Sequence, residues 1–333
     1  MRKLAFVGAG RWAVALARSF AERDLEVALW EPDSRALGNL LTSRRHPDLP
    51  ESATIPASVH LTDDVSDALS GSWLVVFATP SSALTQSARA VAPHITDSCA
   101  AVVTVAKGID PESTERLSVV LRRAIPDSPV VVLAGPGIPH DFALGDPTSL
   151  VAASEDTSAA ELVRDALSAG NLRIYSSGDV VGVELGGALK NVVAIAAGIA
   201  DGLGLGLNAK AALLTRGLAE MTRLGLAMNA NPLTFAGLSG VGDLIVTAFS
   251  DNSRNHNLGL LVARGLDLRA ASARLNGVAE GTLACQTALA LASRHRVELP
   301  ITQEVHDILY KGADPKRSLR RLLGRSPKPE CAS

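Results

Sequence analysis

The segment Lys3-Leu-Ala-Phe-Val-Gly8-Ala-Gly10-Arg-Trp-Ala13 decides the fold of the N-terminal half. It begins with a largely apolar run that predicts a buried β-strand, and the apolar spacing from Trp12 to Glu22 predicts a helix directly after it. The pattern G-x-G-x-x-A stands between the two. A strand, a glycine-rich turn and a helix in this order are typical of a Rossmann-type dinucleotide-binding domain.

The small residues of this turn have separate roles in holding a dinucleotide. Gly8 permits the tight turn, Gly10 lets the backbone approach a pyrophosphate, and Ala13 keeps the helix close to the strand. The helix N-terminus offers free N–H groups to phosphate oxygens. Glu31 ends the second predicted strand, where a carboxylate binds a ribose 2′-hydroxyl and repels the 2′-phosphate of NADP. We therefore expect NAD rather than NADP; the alternative is that Glu31 is a solvated strand end.

The first half of the chain alternates short apolar runs with helical patterns, which predicts βαβ units and a doubly wound, mostly parallel sheet. The predicted strands are Lys3–Gly8, Glu26–Trp30, Trp73–Ala78, Ala100–Val105, Val130–Leu133, Ser149–Ala153 and Arg173–Tyr175. The predicted helices between them include Trp12–Glu22, Ser81–Val91 and Ala159–Ala169.

After about Val180 the pattern becomes helical throughout. The predicted helices are Val183–Ala200, Ala209–Leu224, Asn255–Ala263, Ala279–Arg294 and Ile301–Tyr310. We expect an α/β dinucleotide-binding domain over residues 1–182, an all-α domain over 183–325 and a loose tail over 326–333. Arg216 and Glu220 lie four residues apart on one predicted helix and are expected to form an ion pair.

Composition excludes several classes of protein. A formal net charge of −2 argues against a nucleic-acid surface, and the most apolar long stretch, Val192–Leu207, is too short and too interrupted to span a membrane. No signal-type segment precedes the first strand, no histidine or cysteine spacing predicts a metal site, and Cys99, Cys285 and Cys331 form no C-x-x-C pair. We expect a cytoplasmic protein, and the sequence is compatible with a homodimer.

Five further segments carry a resemblance that covers essentially the whole chain. They are Val105-Ala-Lys-Gly108, Gly182-Val-Glu-Leu-Gly-Gly-Ala-Leu-Lys-Asn191, Thr215-Arg-Gly-Leu-Ala-Glu-Met221, Gly240-Val-Gly-Asp-Leu244 with Ser253-Arg-Asn255, and Val278-Ala-Glu-Gly281. Together they resemble the bacterial NAD(P)-dependent glycerol-3-phosphate dehydrogenases. The resemblance implies reversible hydride transfer between a nicotinamide cofactor and glycerone phosphate, which supplies the backbone of phospholipids.

Carried over by position, the resemblance also implies roles for individual residues. Lys190 is the implied general acid/base. The implied substrate contacts are Lys107, Gly135, Gly137, Lys190, Asp243, Ser253, Arg254 and Asn255. The expected cofactor contacts, which include Gly8 and Gly10 of the glycine-rich turn, are Gly8, Gly10, Arg11, Trp12, Glu31, Lys107, Pro139, Arg254, Val278 and Glu280.

The residue types fit this chemistry. Reduction of a ketone needs a proton for the developing alkoxide, and a buried lysine beside a second cation such as Lys107 has a pKa lowered towards neutrality. Gly186 and Gly187 precede Lys190 on the same helix and would leave room for a ligand. Arg254 offers a bidentate fork to a phosphate. The alternatives are a solvated lysine at position 190 and an ordinary polar helix cap around Arg254.

The loop Ala134-Gly-Pro-Gly-Ile-Pro-His-Asp141 departs from the family pattern. The family has a serine or threonine at the position of Gly137 and usually alanine at that of Pro139. A lost hydrogen bond to substrate costs about 1.5–3 kcal/mol. Two alternatives therefore stay open: a related enzyme for another small phosphorylated or phosphonylated ketone or hydroxy acid, and a non-catalytic dinucleotide sensor.

Overall fold

The N-terminal half forms one eight-stranded sheet in the computed structural model, which describes residues 1–275, 277–326 and 329–330. The strands are β1 (Arg2–Val7), β2 (Leu25–Trp30), β3 (His60–Thr62), β4 (Ser72–Phe77), β5 (Ala101–Thr104), β6 (Val130–Ala134), β7 (Thr148–Ala153) and β8 (Leu172–Ser177). Their spatial order is β3-β2-β1-β4-β5-β6-β7-β8. All neighbours pair in parallel except β6 and β7, which are antiparallel.

Helices cover both faces of this sheet. They are α1 (Arg11–Ala21), α2 (Ser34–Ser43), α3 (Val65–Leu69), α4 (Leu84–Val91), α5 (Leu117–Ala124), α6 (Pro139–Ala143) and α7 (Thr157–Leu167). The alternation of β1 shows the two layers: Leu4 and Phe6 enter the core that includes α1 and α7, whereas Ala5 and Val7 enter the core that includes α4 and α5. The doubly wound, mostly parallel sheet predicted from the sequence is confirmed.

The second half is helical. Its elements are α8 (Val180–Gly202), α9 (Leu207–Ala227), α10 (Pro232–Phe235), a π-helical turn (Leu238–Gly242), α11 (Asp243–Phe249), α12 (Arg254–Ala263), α13 (Leu268–Ala273), α14 (Gly281–His295), α15 (Pro300–Lys311) and α16 (Pro315–Leu323). The predicted all-α region is therefore confirmed, and its first helix begins at Val180, with the Asp179 side chain accepting a hydrogen bond from the backbone N–H of Gly182.

Helix α8 is the centre of the helical region. It is buried on all sides from Gly182 to Ala200, as expected for a helix whose apolar residues are not confined to one face. It contacts α9, α11, α12 and α14, so side chains that leave it in different directions reach different neighbours. This central position brings Lys190 into the interior of the protein.

Two helical segments among the described residues are long and apolar enough to cross a membrane, Val180–Gly202 and Pro232–Phe249. The first is α8, and 94% of its apolar window is buried inside the protein. The second is made of α10, the π-helical turn and α11. Burial of this kind identifies α8 as a core helix.

Some expectations about local structure were wrong or incomplete. Strand β3 and several short helices were not predicted, because three to six residues carry too little periodicity. Glu220 does not pair with Arg216: its carboxylate accepts hydrogen bonds from the backbone N–H groups of Ile301 (2.6 Å) and Thr302 (3.2 Å) at the start of α15. Most of the predicted loose tail, with Cys331, lies outside the described residues.

Candidate active site

The glycine-rich turn lies at the switch point of the sheet, where β1 has β2 on one side and β4 on the other. Gly8 has φ +93°, a backbone conformation that favours glycine, and a Cβ there would touch Thr79. Gly10 precedes α1, and no side chain caps that helix. The first N–H groups of α1 are therefore available to a phosphate group, which fits a bound dinucleotide.

Glu31 lies beside the same turn. Its carboxylate accepts hydrogen bonds from the backbone N–H groups of Ala9 and Asp33, both at 3.1 Å. A negative charge therefore stands directly after β2, at the edge of the turn. This is the arrangement in which a carboxylate binds a ribose hydroxyl and repels an added 2′-phosphate.

Lys190 and Asp243 form the buried centre of the candidate site. The Lys190 Nζ lies 3.1 Å from Asp243 Oδ1 and donates a hydrogen bond to Thr247 Oγ1 at 2.6 Å. Lys190 is 5% exposed and Asp243 0%. Thr247 in turn donates to the backbone carbonyl of Asp243, one helical turn earlier on α11. The lysine is thus held by two side chains of one helix.

A second cation joins the same carboxylate from the sheet. The Lys107 Nζ, after β5, donates to Asp243 Oδ2 at 2.6 Å and to the carbonyl of Gly135, after β6, at 2.8 Å. Gly187 on α8 faces the Lys107 side chain, whereas Gly186 packs against the backbone of Ser239. The expectation that Gly186 leaves room for a ligand was wrong, because that space is filled by the π-helical turn.

Burial changes the protonation behaviour of Lys190. Loss of contact with water lowers its pKa from 10.5 to about 8, assisted by the positive charge of Lys107 and opposed by the negative charge of Asp243. A group with a pKa near neutrality exchanges a proton readily in both directions. Lys190 can therefore act as an acid towards an alkoxide and as a base towards an alcohol.

Arg11 and Arg254 line one polar cavity of about 450 Å³, together with His140 and Arg274. Burial lowers the pKa of Arg254 to about 10, and the charge of Arg11 lowers it further in the same direction. Arg254 therefore stays cationic at neutral pH, as does Arg11. Asp48 and Asp251 also line this cavity, so its charge is mixed. The two guanidinium groups are the cavity's donors for an anion such as a phosphate.

Ser253 and Asn255 flank Arg254 and are both buried. The Ser253 Oγ caps α12 by accepting a hydrogen bond from the backbone N–H of His256. The Asn255 side chain donates to Asn191 Oδ1 and accepts from the N–H of Gly281, both at 2.9 Å. These contacts join the Arg254 segment to α8 and α14.

Glu280 connects the helical region to the sheet. Its carboxylate accepts a hydrogen bond from the backbone N–H of Ser81 at 3.1 Å and another from the Ser81 hydroxyl, just after β4. Burial raises the pKa of Glu280, and these hydrogen bonds and the charge of Arg254 oppose that rise. Glu280 thus reaches the switch point of the sheet. Val278, two residues earlier, is half-exposed.

The loop over residues 134–141, which differs from the family pattern, lies against α1. Gly137 faces the Trp12 indole, and a Cβ at position 137 would lie 3.2 Å from its Cη2 atom. Trp12 also packs edge to face on Phe142 of α6, the helix that begins at Pro139, with ring centroids 5.3 Å apart. The loop therefore fixes Trp12 beside the glycine-rich turn.

The structure thus brings predicted residues into two main groups, Lys107, Gly135, Lys190 and Asp243 in one and Arg11 and Arg254 in the other. Sequence reasoning missed Thr247 and Ser81. Thr247 follows Asp243 by four residues on one helix, which places both side chains on the same face. This spacing is a signal in the sequence that could have identified Thr247. Among the described residues, no group of three His, Cys, Asp or Glu side chains could hold a metal ion.

Comparisons with known proteins agree with this geometry. Two family models match: the N-terminus of NAD-dependent glycerol-3-phosphate dehydrogenase over residues 3–160, and its C-terminus over residues 179–320. Relatives named glycerol-3-phosphate dehydrogenase (NAD(P)+) from Pelotomaculum thermopropionicum and Salinibacter ruber are 42% and 43% identical over 326 residues. This is 97% of this chain in both cases, and 93% and 94% of the relatives.

A solved structure agrees as well. The crystal structure of glycerol-3-phosphate dehydrogenase from Coxiella burnetii is 31% identical, with a TM-score of 0.91 over 97% of this chain and 99% of that one. The resemblance inferred from the sequence motifs is therefore confirmed over both halves. The chain belongs to the NAD-dependent glycerol-3-phosphate dehydrogenase family.

Proposed function

We propose that this chain catalyses the reversible reduction of glycerone phosphate to sn-glycerol 3-phosphate, with Lys190 as the general acid/base. The observation that carries the proposal is the buried Lys190, held by Asp243 and Thr247 and accompanied by a second cation, Lys107. The full-length relatives carry the name of this activity. Without them the same geometry would indicate only an acid/base centre next to a dinucleotide site.

A bound nicotinamide cofactor would supply the hydride for the carbonyl carbon. Residues 1–182 would hold it at the free N-terminus of α1, with Gly8 and Gly10 against the pyrophosphate and Glu31 on the ribose. Trp12, Pro139, Val278 and Glu280 are further proposed contacts. Since Glu31 carries the charge that disfavours a 2′-phosphate, we propose that NAD is preferred to NADP.

Residues 183–325 would supply most of the substrate contacts and the proton. Arg254 would bind the phosphate from the cavity that it lines, and Ser253 and Asn255, whose side chains hold the start of α12, are further proposed contacts. Lys107 and the Gly135–Gly137 loop would orient the ketone. As hydride reaches the carbonyl carbon, the Lys190 ammonium gives its proton to the carbonyl oxygen and becomes a neutral amine. The positive charge of Lys107 stabilises the developing alkoxide. Solvent then returns a proton to Lys190, and the reverse reaction uses the same amine as a base.

In the cell, this activity would supply sn-glycerol 3-phosphate as the backbone of phospholipids. The proposed substrate is a small phosphorylated molecule, and the formal net charge of −2 argues against nucleic acid as a partner. We propose a cytoplasmic enzyme, because three cysteines without a C-x-x-C pair fit a reducing compartment. We propose that the chain assembles as a homodimer.

The test is the consumption of reduced nicotinamide by purified protein with glycerone phosphate, with NADH and NADPH measured in parallel. Rapid consumption that is faster with NADH supports the activity and the role of Glu31. Faster consumption with NADPH contradicts the role of Glu31 and leaves the activity intact. Binding of both cofactors without turnover contradicts the activity.

One observation favours a second candidate substrate. Gly137 has no hydroxyl, and its Cα faces Trp12, so the loop offers backbone groups where the family pattern has a hydroxyl. A related small phosphorylated or phosphonylated ketone would suit such a loop. Higher kcat/KM for a compound of this kind than for glycerone phosphate would establish the second candidate.

A further inference from the structure

Three ionisable side chains that the proposed reaction does not use meet at the C-terminal end of α8. Asp201 Oδ2 accepts a hydrogen bond from Lys210 Nζ and another from His256 Nε2, both at 2.7 Å. Lys210 is 5% exposed and His256 is 6% exposed, whereas the Asp201 side chain is 28% exposed. Buried ionisable groups are costly unless they pair, and this set pairs around one carboxylate.

The cluster joins the helices that carry the candidate site. Asp201 lies on α8, about three turns beyond Lys190. His256 lies on the first turn of α12, two residues after Arg254, and its backbone N–H donates to the capping hydroxyl of Ser253. The bond between Asp201 and His256 therefore links the helix of the proton donor to the segment of the proposed phosphate contacts.

The two helices touch through their backbones at this point. A Cβ at Gly198 of α8 would clash with the carbonyl of His256, and a Cβ at Gly259 of α12 would clash with the carbonyl of Ile195. Contact between glycine faces brings the two backbones into close packing. The hydrogen bond from Asn255 to Asn191 is one directional contact between the same two helices. The hydrogen bond between His256 and Asp201 is a second directional contact, and it lies beside the paired glycines.

A third helix is tied to the same cluster. The Lys210 ammonium, on the first turn of α9, lies 4.1 Å from the centre of the Phe249 ring. Phe249 ends α11, the helix that carries Asp243 and Thr247. Burial raises the pKa of Asp201, but the hydrogen bonds from Lys210 and His256 outweigh it and lower the pKa overall. Asp201 is therefore an anion at neutral pH, and it attracts both partners.

We propose that Asp201, Lys210 and His256 form a positioning cluster that holds Ser253 and Arg254 on α12 in register with Lys190 on α8. The cluster rests on the proposed function, because it acts by placing the phosphate contacts at the correct distance from the proton donor. None of its members is proposed to touch the reacting atoms. Its effect is on affinity for the phosphorylated substrate rather than on the chemical step.

The test compares two substitutions of one residue. In His256→Gln, the side-chain amide nitrogen can take the place of Nε2 and still donate to Asp201, whereas the shorter side chain of His256→Asn cannot reach it. We expect His256→Asn to raise the KM for glycerone phosphate about tenfold with kcat within about threefold of the wild type. We expect His256→Gln to have a KM close to that of the wild type. The pH dependence of kcat stays unchanged in both variants.

A matched control is His60→Asn on β3, which removes another His–Asp contact (His60 Nε2 to Asp67 Oδ2, 2.6 Å) outside the helical region. This control should change neither kcat nor the KM for glycerone phosphate. An unchanged KM in His256→Asn overturns the proposal. The proposal is also overturned if both His256 variants show the same fall in kcat and the same rise in KM, because the residue would then only maintain the fold.

Hydrogen exchange of α12 separates this proposal from the proposed function. We expect His256→Asn to lose protection of the backbone N–H of Asn257, which donates to the Ser253 carbonyl, while α8 stays protected. If the wild type does not reduce glycerone phosphate, the proposed function fails, and this exchange still decides the cluster. Unchanged protection at the start of α12 contradicts the positioning role.

Discussion

The Lys190 ammonium and the Asp243 carboxylate lie 3.1 Å apart in the interior of the protein, one on α8 and the other at the start of α11. Burial lowers the pKa of Lys190 to about 8, and the carboxylate limits that fall. Removal from water and a nearby negative charge thus act in opposite directions on one group. The balance between them leaves a lysine that changes its protonation state in the range where a reversible dehydrogenase has to work.

The two directions of the reaction should depend on pH in opposite ways. Ketone reduction needs the Lys190 ammonium, so kcat for reduction should fall as the pH rises through about 8. Alcohol oxidation needs the neutral amine, so its kcat should rise over the same interval. The measurement is kcat in each direction against pH at saturating substrates. Parallel pH dependence in both directions would argue against Lys190 as the proton carrier.

Replacing Asp243 by asparagine should both lower activity and shift its pH dependence. The charge of Asp243 raises the pKa of Lys190, so Asp243→Asn should move the inflection of kcat for reduction to lower pH. It also leaves Lys107 and Lys190 without their shared anion, which should cost about 3–5 kcal/mol of stability. The exposed Asp97→Asn is the control and should change neither property. If the pH inflection of kcat stays in place in Asp243→Asn, the charge of Asp243 does not raise the pKa of Lys190.

Glu31→Gln should weaken the preference for NADH. The amide keeps an acceptor for the N–H of Ala9 and removes the charge that repels a 2′-phosphate. We expect the ratio of kcat/KM for NADPH to that for NADH to rise about tenfold, which corresponds to about 1.4 kcal/mol. Glu26→Gln, on the exposed side of the same strand, should leave the ratio unchanged. A wild-type enzyme that prefers NADPH would show that Glu31 does not select the cofactor.

Gly198→Ala should destabilise the protein, because the added methyl group meets the backbone carbonyl of His256. We expect a loss of about 1–3 kcal/mol in the free energy of unfolding, measured with urea. Gly38→Ala is the matched control, since it lies in helix α2 with no neighbour within 4 Å of the added Cβ. That variant should gain about 0.5–1 kcal/mol. Equal effects of the two substitutions would show that α8 and α12 do not pack as closely as described.

The sheet and the long helices could be predicted because their signals are local. The run before Gly8, the G-x-G-x-x-A turn and the apolar spacing of the helices carry enough pattern to identify each element. Strand β3 could not be found in this way, since three residues have no usable period. Glu220 misled the prediction because its partners, at Ile301 and Thr302, lie some eighty residues away in sequence.

The candidate site was predictable as a set of residues rather than as an arrangement. The motifs identified Lys107, Lys190 and Asp243 separately, but their meeting at one carboxylate depends on how the helices pack on the sheet. The role of Gly186 was misjudged for the same reason, because the π-helical turn that fills its space is remote in sequence. Contacts between distant elements are set by tertiary packing, which local patterns do not contain.

The role of Lys190 as proton donor is tested by the rate at which Lys190→Ala reduces glycerone phosphate, together with the affinity of this variant for NADH. We expect a folded variant that binds NADH as the wild type does, while kcat falls by about 10²–10⁴-fold because the proton donor is missing. An unchanged kcat in this variant would contradict the central claim that Lys190 carries the proton.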